Sequence, residues 1–148
     1  MKPTTEQMLC GILLLVGGGI YLLFRPEELL MFRVADALGL TPTVRALRTA
    51  VDGWSLPHFV ANSLPGGLWA MAYVLLADSL LKRQTAQQRV AVMSVVPLVG
   101  AASEVMQGLG MLPGTFDPLD LLCYLAPLLV VLKDVFEGRK GHKKEFKH

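Results

Sequence analysis

Glu104 stands inside a long stretch that holds no other charge, which makes it the first residue whose chemistry needs explaining. At the helical rise it lies roughly 12 Å, about eight residues, inside the outer end of an apolar span predicted over about 90–112. An ionised carboxylate at such a depth is costly unless it is paired or hydrated, so Glu104 must be neutral or turned toward a partner or a wet pocket. Gln107 follows three residues on and shares its helical face, and Ser103 is adjacent. Asp117 and Asp120 come next, in Pro113-Gly114-Thr115-Phe116-Asp117-Pro118-Leu119-Asp120. His58 and Asn62 stand four residues apart at the start of an earlier apolar stretch. Three chemistries suit this set. Carboxylates and amides can line a binding pocket. A histidine beside a carboxylate can work as a general base in a hydrolase or transferase. An intramembrane Glu can be the protonation site of a proton-coupled transporter or of a subunit of one. A structural role competes at each position. Glu104 can hold two helices together by a hydrogen bond. Asp117 followed by proline is an N-cap pattern, with Asp120 placed to reach back like the acidic partner of a capping box. His58 can simply be solvated at an interface.

These residues sit in a chain of 148 residues that is 53% hydrophobic and 18% charged, with a mean hydropathy of +0.48. That composition excludes a disordered tail, a coiled coil and a disulfide-stapled secreted domain, and it weighs against a soluble enzyme. The length allows one domain. Residues 7–24, 54–81 and 90–132 hold only Asp78, Glu104, Asp117 and Asp120 as charged residues, and no Lys or Arg. Charge excluded in blocks points to segments that face hydrocarbon. The expected fold is all-α: an integral membrane four-helix bundle with spans at about 7–24, 58–81, 90–112 and 119–136. A cleaved signal peptide competes for the first span. Arg25-Pro26-Glu27-Glu28 follows it instead of a small-residue cleavage site, which favours a retained anchor. Gly17, Gly18 and Gly19 would let a neighbouring helix pack closely. Pro65-Gly66-Gly67 should kink or break the second span, ahead of Trp69 and Tyr73, and Pro97 and Gly100 mark the middle of the third. Asp78 is expected to reach the inner interface beside Lys82 or Arg83, and Lys133 to snorkel there.

An amphipathic helical segment over residues 25–53 separates the first two spans. Two short helices are predicted in it. One has Pro26 at its first position with Glu27 and Glu28 in its first turn. The other has Thr41 as N-cap, Pro42 at its first position and Gly53 at its end. The segment should lie along the membrane surface or cover the bundle. Four spans put both termini on one side. That side carries ten basic residues against four on the other, so both termini are expected in the cytoplasm. The basic tail, 137–148, fits topology and lipid headgroups, and it lacks what nucleic-acid binding would need. Membrane lipids are therefore the expected partners. Cys10 and Cys123 have no metal-ligand or redox spacing and are expected as small buried hydrophobes. No phosphate loop, nucleophile elbow or paired-His motif is present, so no cofactor or metal is expected.

Ser103-Glu104-Val105-Met106-Gln107, a short Pro-Gly loop and Phe116-Asp117-Pro118-Leu119-Asp120-Leu121-Leu122 together resemble the VanZ-like membrane proteins. In that family a Glu-x-x-Gln helix precedes a loop and an Asp-x-x-Asp helix start. His58-Phe59 resembles the family's upstream His-Phe. The chain departs from the pattern at Thr115, before which and at which no loop Arg occurs, and at Tyr124 and Pro127, where the family usually has Asn and Gly. The resemblance implies a bacterial inner-membrane protein of the cell envelope, connected with glycopeptide-antibiotic tolerance. The residue constellation itself suggests a polar pocket open to the extracytoplasmic side, with Glu104 and Gln107 as its floor and Asp117, Asp120 and His58 as its rim, and a lipid-linked or glycopeptide-like envelope molecule is its expected ligand.

Overall fold

The computed structural model of the chain describes residues 5–27 and 30–133. Lys2, Glu28 and the basic tail fall outside the described residues, as does the last part of the fourth expected span. The regular elements among the described residues are all helices, without a strand. The helices are α1 (Thr5–Phe24), α2 (Leu30–Ala37), α3 (Thr41–Ala50), a π-helical turn (Phe59–Ser63) running into α4 (Leu64–Leu80), α5 (Ala86–Gly108) and α6 (Pro118–Leu125). Three of the described helices are long and apolar enough to cross a membrane: Thr5–Phe24, Phe59–Leu80 and Ala86–Gly108. Their outward faces carry many exposed large hydrophobic side chains, Leu15 and Val99 among them.

Local chemistry sets each boundary. Thr85 and Gln88 form a capping box, each side chain receiving the other's backbone N–H, so α5 starts at Ala86, four residues before the predicted span. The helix stops early because Gly110, at a φ of +71°, adopts the left-handed conformation. The Met111 N–H then returns to the Met106 carbonyl and the Gly110 N–H to that of Gln107, which is a Schellman closure. Gly39 ends α2 the same way, with bonds from Leu40 to Ala35 and from Gly39 to Asp36. The expected start of this first short helix at Pro26 is corrected, since α2 is described from Leu30. Thr41 is not the N-cap of α3 either. Leu40 holds that position, and the Thr41 hydroxyl donates to Asp36 Oδ1 at 2.8 Å.

Pro65-Gly66-Gly67 does not break the second expected span. Proline has no N–H for the carbonyl four residues back, and the turn before it widens, with the Leu64 N–H reaching the Phe59 carbonyl five residues back. The helix continues through the three residues. The fourth expected span is interrupted instead. Pro127 is fully buried and cannot donate to the preceding turn, so α6 ends at Leu125. Three-residue bonds from Leu129 to Ala126 and from Val130 to Pro127 lead into a further helical stretch over 128–133.

The long helices alternate in direction around α4, which packs against α1, α5 and α6. At one end Lys82, just past α4, meets Glu6 in the first turn of α1 at 2.6 Å, and Arg89 in the first turn of α5 meets Asp78. Asp78 was expected beside Lys82 or Arg83. The short 81–85 connection brings Arg89 alongside it, while Lys82 is engaged by Glu6. Val74, Ala77, Met93 and Val131 form the buried apolar cluster toward this end. The opposite end is polar inside.

Candidate functional site

Four segments build the polar end. From α5, Glu104 is 5% exposed, and its Oε2 accepts the Asp117 backbone N–H at 3.3 Å. Asp117 caps α6, its Oδ1 accepting the Leu119 N–H at 2.8 Å. The expected return of Asp120 to the Asp117 N–H does not occur. Glu104 takes that donor, so Asp120 is not the partner in a capping box. Its Oδ1 is instead buried without a hydrogen-bond partner among the described residues. The Gln107 side chain lies against Gly114, whose φ of +131° and lack of a Cβ (one would fall 2.4 Å from Gln107 Oε1) admit it.

The π-helical turn carries Asn62 and Ser63, and His58 immediately precedes it. Facing it is the end of α1. Arg48 of α3 donates to the Leu22 and Arg25 carbonyls, at 2.7 and 2.9 Å, and so neutralises the C-terminal end of that helix. Glu27 holds Arg48 from the other side at 3.6 Å. Arg25, fixed in this way, donates to Asn62 Oδ1 and lies over the Tyr21 ring at 5.4 Å. Tyr21 in turn packs against Trp69, with the ring centroids 5.3 Å apart. Of the three glycines expected to admit a close neighbour, only Gly17 does so. A Cβ there would fall 2.7 Å from Trp69 Nε1, whereas Gly18 and Gly19 have open space.

Together these segments enclose a cavity of about 390 Å³. Glu104, Gln107, Asp117, Asp120, His58 and Asn62, the six residues singled out from the sequence, all line it. His58 is at the edge. Its side chain is 73% exposed, and its Nδ1 is 3.9 Å from Asp117 Oδ2, beyond a direct hydrogen bond.

Arg25, Ser63 and Tyr124 are among the further lining residues that were not singled out as site candidates. Arg25 reads in the sequence as a topological charge just past a span. Its position, one residue beyond a helix whose end meets another span's polar start, was the available signal. Tyr124 could be found by its hydroxyl in an apolar run. Its ring occupies the space that a Gly100 side chain would take, with a Cβ falling 2.3 Å from Cδ1, and its hydroxyl lies against Gly66. Ser63 is 2% exposed, and its hydroxyl has no hydrogen-bond partner among the described residues. Arg25 Nε is also buried without one.

The arrangement offers carboxylates, a guanidinium, hydroxyls and amides around a space of ligand size, backed by aromatic rings. Among the described residues no group of three or more His, Cys, Asp or Glu is placed to hold a metal ion. In comparisons with known proteins, no family model, no curated protein and no solved structure matches this chain.

Proposed function

We propose that the chain is a small integral membrane protein of the VanZ-like kind, a four-span bundle in the bacterial inner membrane with both termini in the cytoplasm. Its cavity opens to the extracytoplasmic side and binds a component of the cell envelope, lipid-linked or glycopeptide-like. One observation carries this. The residues of the Glu-x-x-Gln and Asp-x-x-Asp elements converge on a single cavity, and three residues that line it, Arg25, Ser63 and Asp120, have buried polar atoms without a hydrogen-bond partner among the described residues. An unpartnered buried polar atom costs on the order of 1–3 kcal/mol, so polar residues that serve cohesion alone are as a rule satisfied internally. The absence of the family's usual loop Arg at Thr115 is offset by Arg25, which brings a guanidinium to the same cavity from α1.

Binding accounts for the geometry better than hydrolysis or transfer. A general base needs hydrogen-bond reach to its partner, and His58 is exposed and 3.9 Å from Asp117. The test compares Glu104→Gln and Glu104→Ala with the deletion strain at equal membrane abundance, under glycopeptide and envelope stress. Both variants are expected to move toward the deletion phenotype, with Ala the closer to it because it also releases the Asp117 N–H. Two variants that behave as wild type would overturn the pocket as the functional site.

A further inference from the structure

The cavity holds one guanidinium and three carboxylates, yet no ion pair joins Arg25 to Glu104, Asp117 or Asp120. Opposite charges that line one cavity attract each other. Here the backbone holds them apart. Arg25 is fixed on the α1 side by Arg48 and by its bond to Asn62, and the carboxylates stand on the facing α5–α6 side. Each side keeps an unused buried atom: Arg25 Nε, a donor, and Asp120 Oδ1, an acceptor. Ser63, a residue 2% exposed that lines the same space, likewise has a hydroxyl without a partner among the described residues.

We infer that the cavity takes a compact zwitterion, its acid group on Arg25 and Ser63 and its primary ammonium on Asp120 and Asp117. This rests on the proposed binding role and narrows the ligand class. A guanidinium binds a phosphate or carboxylate through charge-assisted donors, and an ammonium supplies up to three donors to carboxylate oxygens. One ligand carrying both groups satisfies both sides and adds little net charge to the site. A purely anionic ligand would leave Asp120 unmatched and face its repulsion, and a purely cationic one would leave Arg25 unmatched. An aminoethyl phosphate group has this chemistry, either as a lipid headgroup or free in solution.

The experiment uses the full chain purified in detergent, titrated by calorimetry with dihexanoyl phosphatidylethanolamine, phosphatidylcholine and phosphatidylglycerol, and with free phosphoethanolamine. Phosphatidylethanolamine is expected to bind about tenfold or more tightly than phosphatidylcholine, which lacks ammonium N–H donors, or phosphatidylglycerol, which lacks the cation. Competition by free phosphoethanolamine would assign the preference to the headgroup alone, and its absence would assign the ligand to a lipid. Arg25→Gln and Asp120→Asn should each remove the preference, and Arg25→Lys should keep part of it by retaining the charge. If one variant fails to fold by circular dichroism and gel filtration, the other decides. Equal binding of the three lipids, no binding at all, or a preference that survives both substitutions would overturn the inference. The wider binding role falls separately, on the Glu104 phenotypes, so a chain that fails here and passes there binds an envelope ligand of another class.

Discussion

Gly100 has no side chain, and the ring of Tyr124 occupies the space where one would be. Few positions in the molecule are so restricted, since the overlapping atoms belong to a ring that is itself held between two helices. Gly100→Ala is therefore expected to push Tyr124 out of the cavity wall and to lower stability by about 1–3 kcal/mol, as overpacking does. Thermal unfolding in detergent measures this. Gly18→Ala, with open space around it, is the control expected to leave the midpoint unchanged or slightly raised. Glu104 shows the same dependence on neighbours in polar form. Its carboxylate takes the backbone N–H of the residue that caps α6, so one side chain joins the end of α5 to the start of α6.

At the scale of elements, the amphipathic segment between α1 and the π-helical turn does more than cover a surface. Arg48 reaches from α3 to the last carbonyls of α1 and sets where Arg25 emerges. It is a positioning residue, since Arg25 and not Arg48 lines the cavity. Arg48→Ala is expected to fray the end of α1 and cost about 1–3 kcal/mol, from two charge-assisted bonds to carbonyls. It should also weaken the headgroup preference that depends on Arg25. Arg48→Lys should recover most of the stability and less of the preference, because a single ammonium does not reproduce the guanidinium fork. Calorimetric binding beside thermal unfolding separates the two effects. The π-helical turn is the second such device. By widening before Pro65 it lets a proline stand in a continuous helix while His58, Asn62 and Ser63 line one cavity.

At the scale of the whole molecule, polar chemistry gathers at the two ends of an apolar body. One end carries the Glu6–Lys82 and Asp78–Arg89 pairs, and at the other, among the described residues, no ion pair joins Arg25 to the carboxylates that line the same cavity. In the proposed orientation the cavity end faces outward. Cysteine labelling tests it, in a chain whose own Cys10 and Cys123 are replaced by Ala. Thr115→Cys should react with a membrane-impermeant maleimide added to intact spheroplasts, and Gln84→Cys only after the membrane is opened. The reverse pattern would turn the topology over and, with it, the side from which the cavity is reached.

Some of this protein was legible in the sequence because it depends on local or one-dimensional physics. Charge-free runs mark apolar helices whatever they pack against. Asp117-Pro118 starts a helix wherever it stands, and a carboxyl group in an apolar run must turn inward. Six residues that line the cavity carry these local signatures. Sequence reasoning went astray where two local solutions compete. Asp120 could have completed a capping box, but Glu104 reaches the same N–H from another helix. Pro65 could have broken a helix, whereas a widened turn absorbed it and Pro127 made the break instead. Only the tertiary structure decided that Arg25 enters the cavity, that Asp78 pairs with Arg89, and that buried polar atoms of Arg25, Ser63 and Asp120 have no hydrogen-bond partner among the described residues. Each is a matter of which helix faces meet across tens of residues, and close packing at single glycines sets that, while a helix's own periodicity leaves it open.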